Sequence, residues 1–316
     1  MTNTPRSVVF LISILFLTSL SCSLVSQISS PAASSADETT ESNSVPSTES
    51  TLLPETAPPP DQLLGDGLVP PPSADGGACA NTFYPMIPGY QWIYEVTAEG
   101  ETNQISLTVT EVNGNQATLH ALYLKSGVTS ETIVDCDDGA ILSFPVVMLG
   151  FLFGDVDGDL TMVHQSGVFA PNYQTLSDQN WDAEWAGEYL ASGTLAAQIE
   201  GQPATGTLEE SPLHMQWNTL GAGQAIFETV SVKAGNYPQA IKLERQIDFD
   251  FTAEVTENGT PMSLKAAITL QNNLWFEPNI GLLKQEIDQA SVKLYGVNFP
   301  IEMTGTMELV EFRISE

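Results

Sequence analysis

Basic residues are scarce. The chain has 316 residues, with 9 Lys and Arg against 39 Asp and Glu, for a formal net charge of −30. That excess repels phosphate backbones and excludes nucleic acid as a partner, and it disfavours anionic lipid surfaces. Cysteine and histidine are scarce too, three of each. They form no C-x-x-C pair and no Cys/His cluster, so nothing points to a zinc site. G-x-S-x-G, H-E-x-x-H and phosphate-cradling glycine loops are all missing. No nucleophile and base stand out from background, and a noncatalytic role is expected. Beyond the N-terminus no apolar run approaches the roughly 20 residues of a membrane helix. Sustained helical periodicity is absent as well. The length allows one large domain or two small ones.

What is present begins with "MTNTPRSVVFLISILFLTSLSCSL". Arg6 and the amino terminus precede a thirteen-residue apolar run, Val8 to Leu20. The run is too short to span a bilayer comfortably, and the layout is that of an export signal. It ends in "SLSC", which resembles a bacterial lipobox, where a signal peptidase cuts before a lipid-bearing cysteine. Ser19 stands where the lipobox has an apolar residue, and Leu20 sits one place late. Residues 1–22 therefore read as a signal peptide with Cys22 as the lipid attachment point, giving a membrane partner through the N-terminal lipid. The competing reading is ordinary cleavage near Ser21 or Ser23 and free secretion. Both place the protein outside the cytoplasm, at the envelope or cell surface or released from it.

Residues 23–77 carry eight acids, no base and no aromatic residue. Such Ser-, Thr-, Pro- and Glu-rich chain cannot bury enough apolar surface to offset ordering entropy, and a disordered tether is expected. As a flexible coil it reaches about 40 Å root-mean-square. With Cys22 lipidated or removed, Cys79 and Cys136 remain. Two cysteines in an exported protein usually pair, and a bridge across this span is worth about 4 kcal/mol on the chain-entropy account.

From residue 78 to 316 the pattern is alternation, and one all-β domain is expected. In "QISLTVTEV" Ile105, Leu107 and Val109 share a face. Asn113-Gly114 reads as a two-residue turn, and "QATLHALYL" returns with Ala117, Leu119 and Ala121 aligned. In "IKLERQIDFDFTAEV" every odd position is apolar except Arg245. After Asn258-Gly259 the even positions of "PMSLKAAITLQNNLWF" are apolar except Asn272. A two-residue turn pairs Glu257 with Thr260, which sets Phe249 against Ile268, Ile247 against Leu270 and Arg245 against Asn272. Strands of about fifteen residues, near 50 Å extended, belong to a large curved antiparallel sheet or half-barrel. Near the C-terminus the apolar phase slips at Leu309-Val310, which marks a β-bulge.

Two constellations carry chemistry. "GDVDGDL" sets Asp155, Asp157 and Asp159 at alternate positions on a glycine-containing loop, as calcium binding requires. Leu160 and Ser166 stand where an EF-hand loop needs Gly and Glu, so a solvated turn competes with a calcium-dependent interaction or adhesion module. "DCDDG" at 135–139 is a weaker version. The second constellation is Arg245 with Asn272. A guanidinium on an apolar face needs a partner. Either it reaches a carboxylate or the rim, or it is the polar anchor of a cavity that holds an apolar ligand such as a lipid or acyl chain. Trp181, Trp185 and Trp217 read as core, with lining such a cavity as the alternative. His120, His164 and His214 are isolated.

Three stretches together resemble a family of bacterial exported and lipid-anchored β-sheet proteins with no assigned activity. They are "YPMIPGYQWIYEV", "ETVSVKAGNYPQAIKLE" and "LWFEPNIGLLKQE", in that order along the chain. The resemblance implies a large, curved antiparallel sheet similar to the half-barrel of lipoprotein carriers, and it implies no catalytic residues. Lys233 and Asn279 depart from the family pattern, which often has proline and a small residue at these places.

Overall fold

The structure, a computed structural model, describes residues 69–98, 101–143, 145, 160–199, 202–219, 227–257, 260–294, 296–300 and 305–314. All of them lie in the compact unit Leu63–Glu316. The signal stretch, Cys22, and the aspartates Asp155, Asp157 and Asp159 fall outside the described residues.

Fourteen strands are described. The first seven are β1 (Tyr90–Ala98), β2 (Glu101–Asn113), β3 (Gln116–Tyr123), β4 (Thr129–Asp137), β5 (Ala140–Ile141), β6 (Leu160–Gly167) and β7 (Glu184–Ile199). The rest are β8 (Gln202–Thr219), β9 (Phe227–Val232), β10 (Gly235–Glu257), β11 (Thr260–Glu277), β12 (Gly281–Leu294), β13 (Val297–Pro300) and β14 (Gly305–Ile314). They form one antiparallel sheet in the order β5-β4-β3-β2-β1-β14-β12-β11-β10-β8-β7-β6, with β13 beside β12 and β9 beside β10. The expected all-β architecture is present, and the sheet stays open. Its two ends approach each other. Ile141 of β5 makes an isolated bridge to Ala170, just beyond β6, and the Tyr189 hydroxyl of β7 donates to the Leu142 carbonyl at 3.0 Å.

The β10–β11 hairpin has the register read from its alternation: Arg245 opposite Asn272, Ile247 opposite Leu270, Phe249 opposite Ile268. Its inner phase, Ile241, Leu243, Ile247 and Phe249, is buried with Leu270, Leu274 and Phe276 across from it. The C-terminal phase slip is also a bulge. Ile93 pairs with Glu311 and Tyr94 with Leu309, which leaves Val310 as the extra residue.

The first hairpin differs by one position. Asn113 pairs with Gln116, so Gly114-Asn115 is the turn, not Asn113-Gly114. Gly114 takes φ +62°, as the first central position of a type II′ turn demands. The reason is register. Odd positions are apolar in both strands, so they must face each other, and a bulge at Thr110 brings Val109 opposite Leu119 and Leu107 opposite Ala121.

Two irregular segments fill the inner face. Residues 69–89 start at Val69, which is buried, and make a 3₁₀ turn at Ala74–Cys79 capped by Ser73. Residues 168–183 carry a short helix, α1 (Tyr173–Asp178), capped by Asn172. Asn81 locks the two together: its amide donates to Gly139 and Pro171 carbonyls at 2.7 and 2.9 Å, and its oxygen accepts from the Phe83 and Tyr84 N–H groups. The Cys79–Cys136 disulfide fastens this plug to β4, with Cα atoms 5.1 Å apart.

Candidate functional site

The plug presents an aromatic cluster to the sheet. Phe83 lies 5.1 Å from Phe276 and 6.2 Å from Trp185, and meets Trp181 edge-on. Phe169 meets Trp217 edge-on at 5.3 Å, and Trp185 stacks on Trp217. Trp181 and Trp217 are buried and Trp185 half-buried, so the tryptophans pack the core, as the first of their two readings has it. Tyr84 sits between Phe169 and Phe276, at 4.9 and 5.2 Å.

Arg245 lies on the same inner face at 2% exposure, between Trp217 on β8 and Asn272 on β11. Its Nη2 donates to Gln285 Oε1 at 3.2 Å and, more weakly, to Asn272 Oδ1 at 3.5 Å. Asn272 and Gln285 are themselves 1% and 3% exposed. Neither can neutralise the charge. Among the described residues no carboxylate pairs with Arg245. Three polar atoms here are buried without a partner: Arg245 Nε, Asn272 Nδ2 and the Tyr84 hydroxyl. Burial pulls the guanidinium down to about 10, opposed by Tyr84. Burial pushes the Tyr84 phenol well up, opposed by Arg245. Each therefore lies within the other's field, and the phenol remains a neutral O–H donor.

The sequence singled out Arg245 and Asn272 because both break an apolar phase. Gln285 and Tyr84 carried no such signal. Gln285 reaches the site through a second strand pair whose register shifts twice, at Gln271/Asn272 and at Trp275/Phe276. Tyr84 comes from irregular chain.

The opposite face of these strands is polar. Gln216, Gln246, Gln271 and Gln289 lie in direct register across β8, β10, β11 and β12. Glu184, Asn218, Glu244 and Asn273 help line a depression of about 250 Å³ whose lining also includes Trp217, Arg245 and Asn272. Further along, Trp275 lies under both Lys242 and Lys284 and donates to Glu228 Oε2 at 2.8 Å.

The three signature stretches meet in space. The Trp92 indole donates to the Ile280 carbonyl at 2.6 Å, and the Tyr94 hydroxyl to Leu282 at 3.0 Å. Asn279 takes φ +65°, and its N–H donates to Thr82 O. A Cβ on Gly281 would stand 3.2 Å from Trp92 Nε1. The middle stretch joins β14 through the Ala234 N–H to Leu309 O, and its Lys233 pairs with Glu95 of β1 at 2.5 Å. These motifs clasp the plug and sheet together, which is structural work.

The histidines are apart. His214 pairs with Glu188 at 2.6 Å, His164 reaches the Gly167 carbonyl, and His120 is half-buried on β3. Among the described residues no three His, Cys, Asp or Glu side chains gather to hold a metal.

Comparison of the chain with protein-family models and with curated proteins finds no match. Two solved structures are similar to it. One, from Bacteroides fragilis, is described as an exported protein with a YmcC-like fold; it is 13% identical, with a TM-score of 0.39 over 74% of this chain and 99% of that one. The other, described as a lipoprotein from Parabacteroides distasonis, is 14% identical, with a TM-score of 0.40 over 74% of this chain and 99% of that one.

Proposed function

We propose that this is an extracytoplasmic module, anchored by lipid at Cys22, that binds an apolar ligand noncatalytically on the inner face of its sheet. The observation that carries the binding function is Arg245. A chain with 39 acids and 9 bases has carboxylates to spare, yet among the described residues none is set against its buried guanidinium. A fold that needed Arg245 only for packing gains nothing from a charge there. An apolar ligand with one polar end accounts for both the charge and the aromatic surroundings.

The compartment rests on the signal-like N-terminus and Cys22, and the Cys79–Cys136 disulfide supports it, since such bridges persist in oxidising compartments. Cell fractionation tests the anchor. The wild-type chain is expected in the membrane fraction, and Cys22→Ala in the soluble extracytoplasmic fraction. Equal partition of the two removes the lipid anchor from the proposal and leaves free secretion.

A further inference from the structure

The polar atoms around Arg245 specify what the ligand's polar end must be. Arg245 Nε, Asn272 Nδ2 and the Tyr84 hydroxyl are buried and unpartnered. All three are hydrogen-bond donors. The oxygens available to a cation, Asn272 Oδ1 and Gln285 Oε1, already accept from the guanidinium. The site thus offers unfilled donors and one positive charge, and among the described residues no carboxylate pairs with it. We infer that Arg245 and Asn272, adjacent across β10 and β11, together bind a monovalent anionic group in the core.

The charge count narrows the chemistry. One buried guanidinium balances one negative charge. A phosphate dianion would leave a second charge buried and unpaired, which the desolvation of that charge strongly disfavours. A carboxylate or a halide fits. Neutral donors and metal cations do not, because the site presents donors of its own and a positive charge.

The anion has two sources, the carboxylate of an acyl chain or a free ion such as chloride. The inner face favours the acyl chain. From Arg245 an apolar strip runs along β10 through Ile247, Phe249 and Phe251, flanked on β11 by Leu270 and Ile268. Ile247 and Phe249 are 1% and 4% exposed, while Phe251 and Ile268 are only half-buried, so the strip opens away from the charge. Six residues of strand span about 20 Å, the length of an extended sixteen-carbon chain. The acyl source rests on the binding function proposed above; the anion site itself does not.

The test uses the full-length chain purified in mild detergent and two probes. Crystals soaked in sodium bromide are measured at the bromine absorption edge. Separately, [1-13C]palmitate is titrated and its carboxyl resonance followed, with wild type and Arg245→Met. The acyl source predicts a shifted palmitate resonance whose affinity falls about 10- to 100-fold in Arg245→Met. The free-ion source predicts an anomalous peak touching Arg245 Nε and Asn272 Nδ2, with no palmitate binding. That second outcome keeps the anion site and overturns the acyl-ligand function. Ordered water alone on Arg245 Nε and Asn272 Nδ2, with neither probe binding there, overturns the inference. The bromide measurement needs no variant, so it decides even where Arg245→Met fails to fold.

Discussion

A buried guanidinium held only by amides is expensive, and its removal should show it. Arg245 at 2% exposure has Asn272 and Gln285 as partners, and neither carries charge. Even buried charges that are ion-paired are often replaced by apolar side chains of similar volume at no cost or with a gain of about 1–4 kcal/mol, and an unpaired one costs the fold more. Ligand-free Arg245→Met is therefore expected to be more stable than ligand-free wild type in urea denaturation. A loss of stability would mean that the guanidinium is needed for the fold itself. Glu277 gives a second residue-scale prediction. Burial lifts its carboxyl to about 7, and its Oε2 has no hydrogen-bond partner. The folded state then holds a proton that the unfolded state has lost, between the usual carboxylate range and pH 7. Stability should rise as pH falls through that window, and Glu277→Gln should flatten the rise. Urea midpoints at pH 5 and pH 7.5 for both proteins check the sign.

At the scale of elements, the clasp between β1 and the β11–β12 turn depends on one glycine. Gly281 has φ +114°, and a Cβ there would press on the Trp92 indole at 3.2 Å. Gly281→Ala is expected to cost about 1–3 kcal/mol and to change Trp92 fluorescence before global unfolding. An unchanged melting curve would show that the turn relaxes without strain. The long hairpin was legible because period two in both strands, joined by a two-residue turn, leaves one register in which Arg245 meets Asn272. The Val310 bulge was legible for the same reason: a phase slip has nowhere else to go. The turn at Gly114-Asn115 was misplaced because the Thr110 bulge leaves no mark in the turn itself. The plug was not legible at all. Residues 69–89 and 168–183 have no period, and Asn81, which joins them through its bond to the Pro171 carbonyl, looks like any loop asparagine. With the plug unseen, Tyr84 could not be placed near Arg245.

For the whole molecule, the open sheet and its plug account for one another. A sheet of long, twisted strands curls until its ends approach, and here β5 and the chain beyond β6 join by the isolated Ile141–Ala170 bridge. The space inside is filled at one end by the molecule's own aromatic residues, with the disulfide holding them in place. Toward the far end of the β10–β11 hairpin the inner face is less covered, as Phe251 and Ile268 show. Arg245 stands between these two regions. The claim that it anchors a ligand is tested most directly by native mass spectrometry of the full-length protein, purified gently from cells alongside Arg245→Met. The expected result is one noncovalent adduct with the mass of a monocarboxylic acyl chain on the wild type, absent from the variant. The bare protein mass in both, or the same adduct on both, would contradict it.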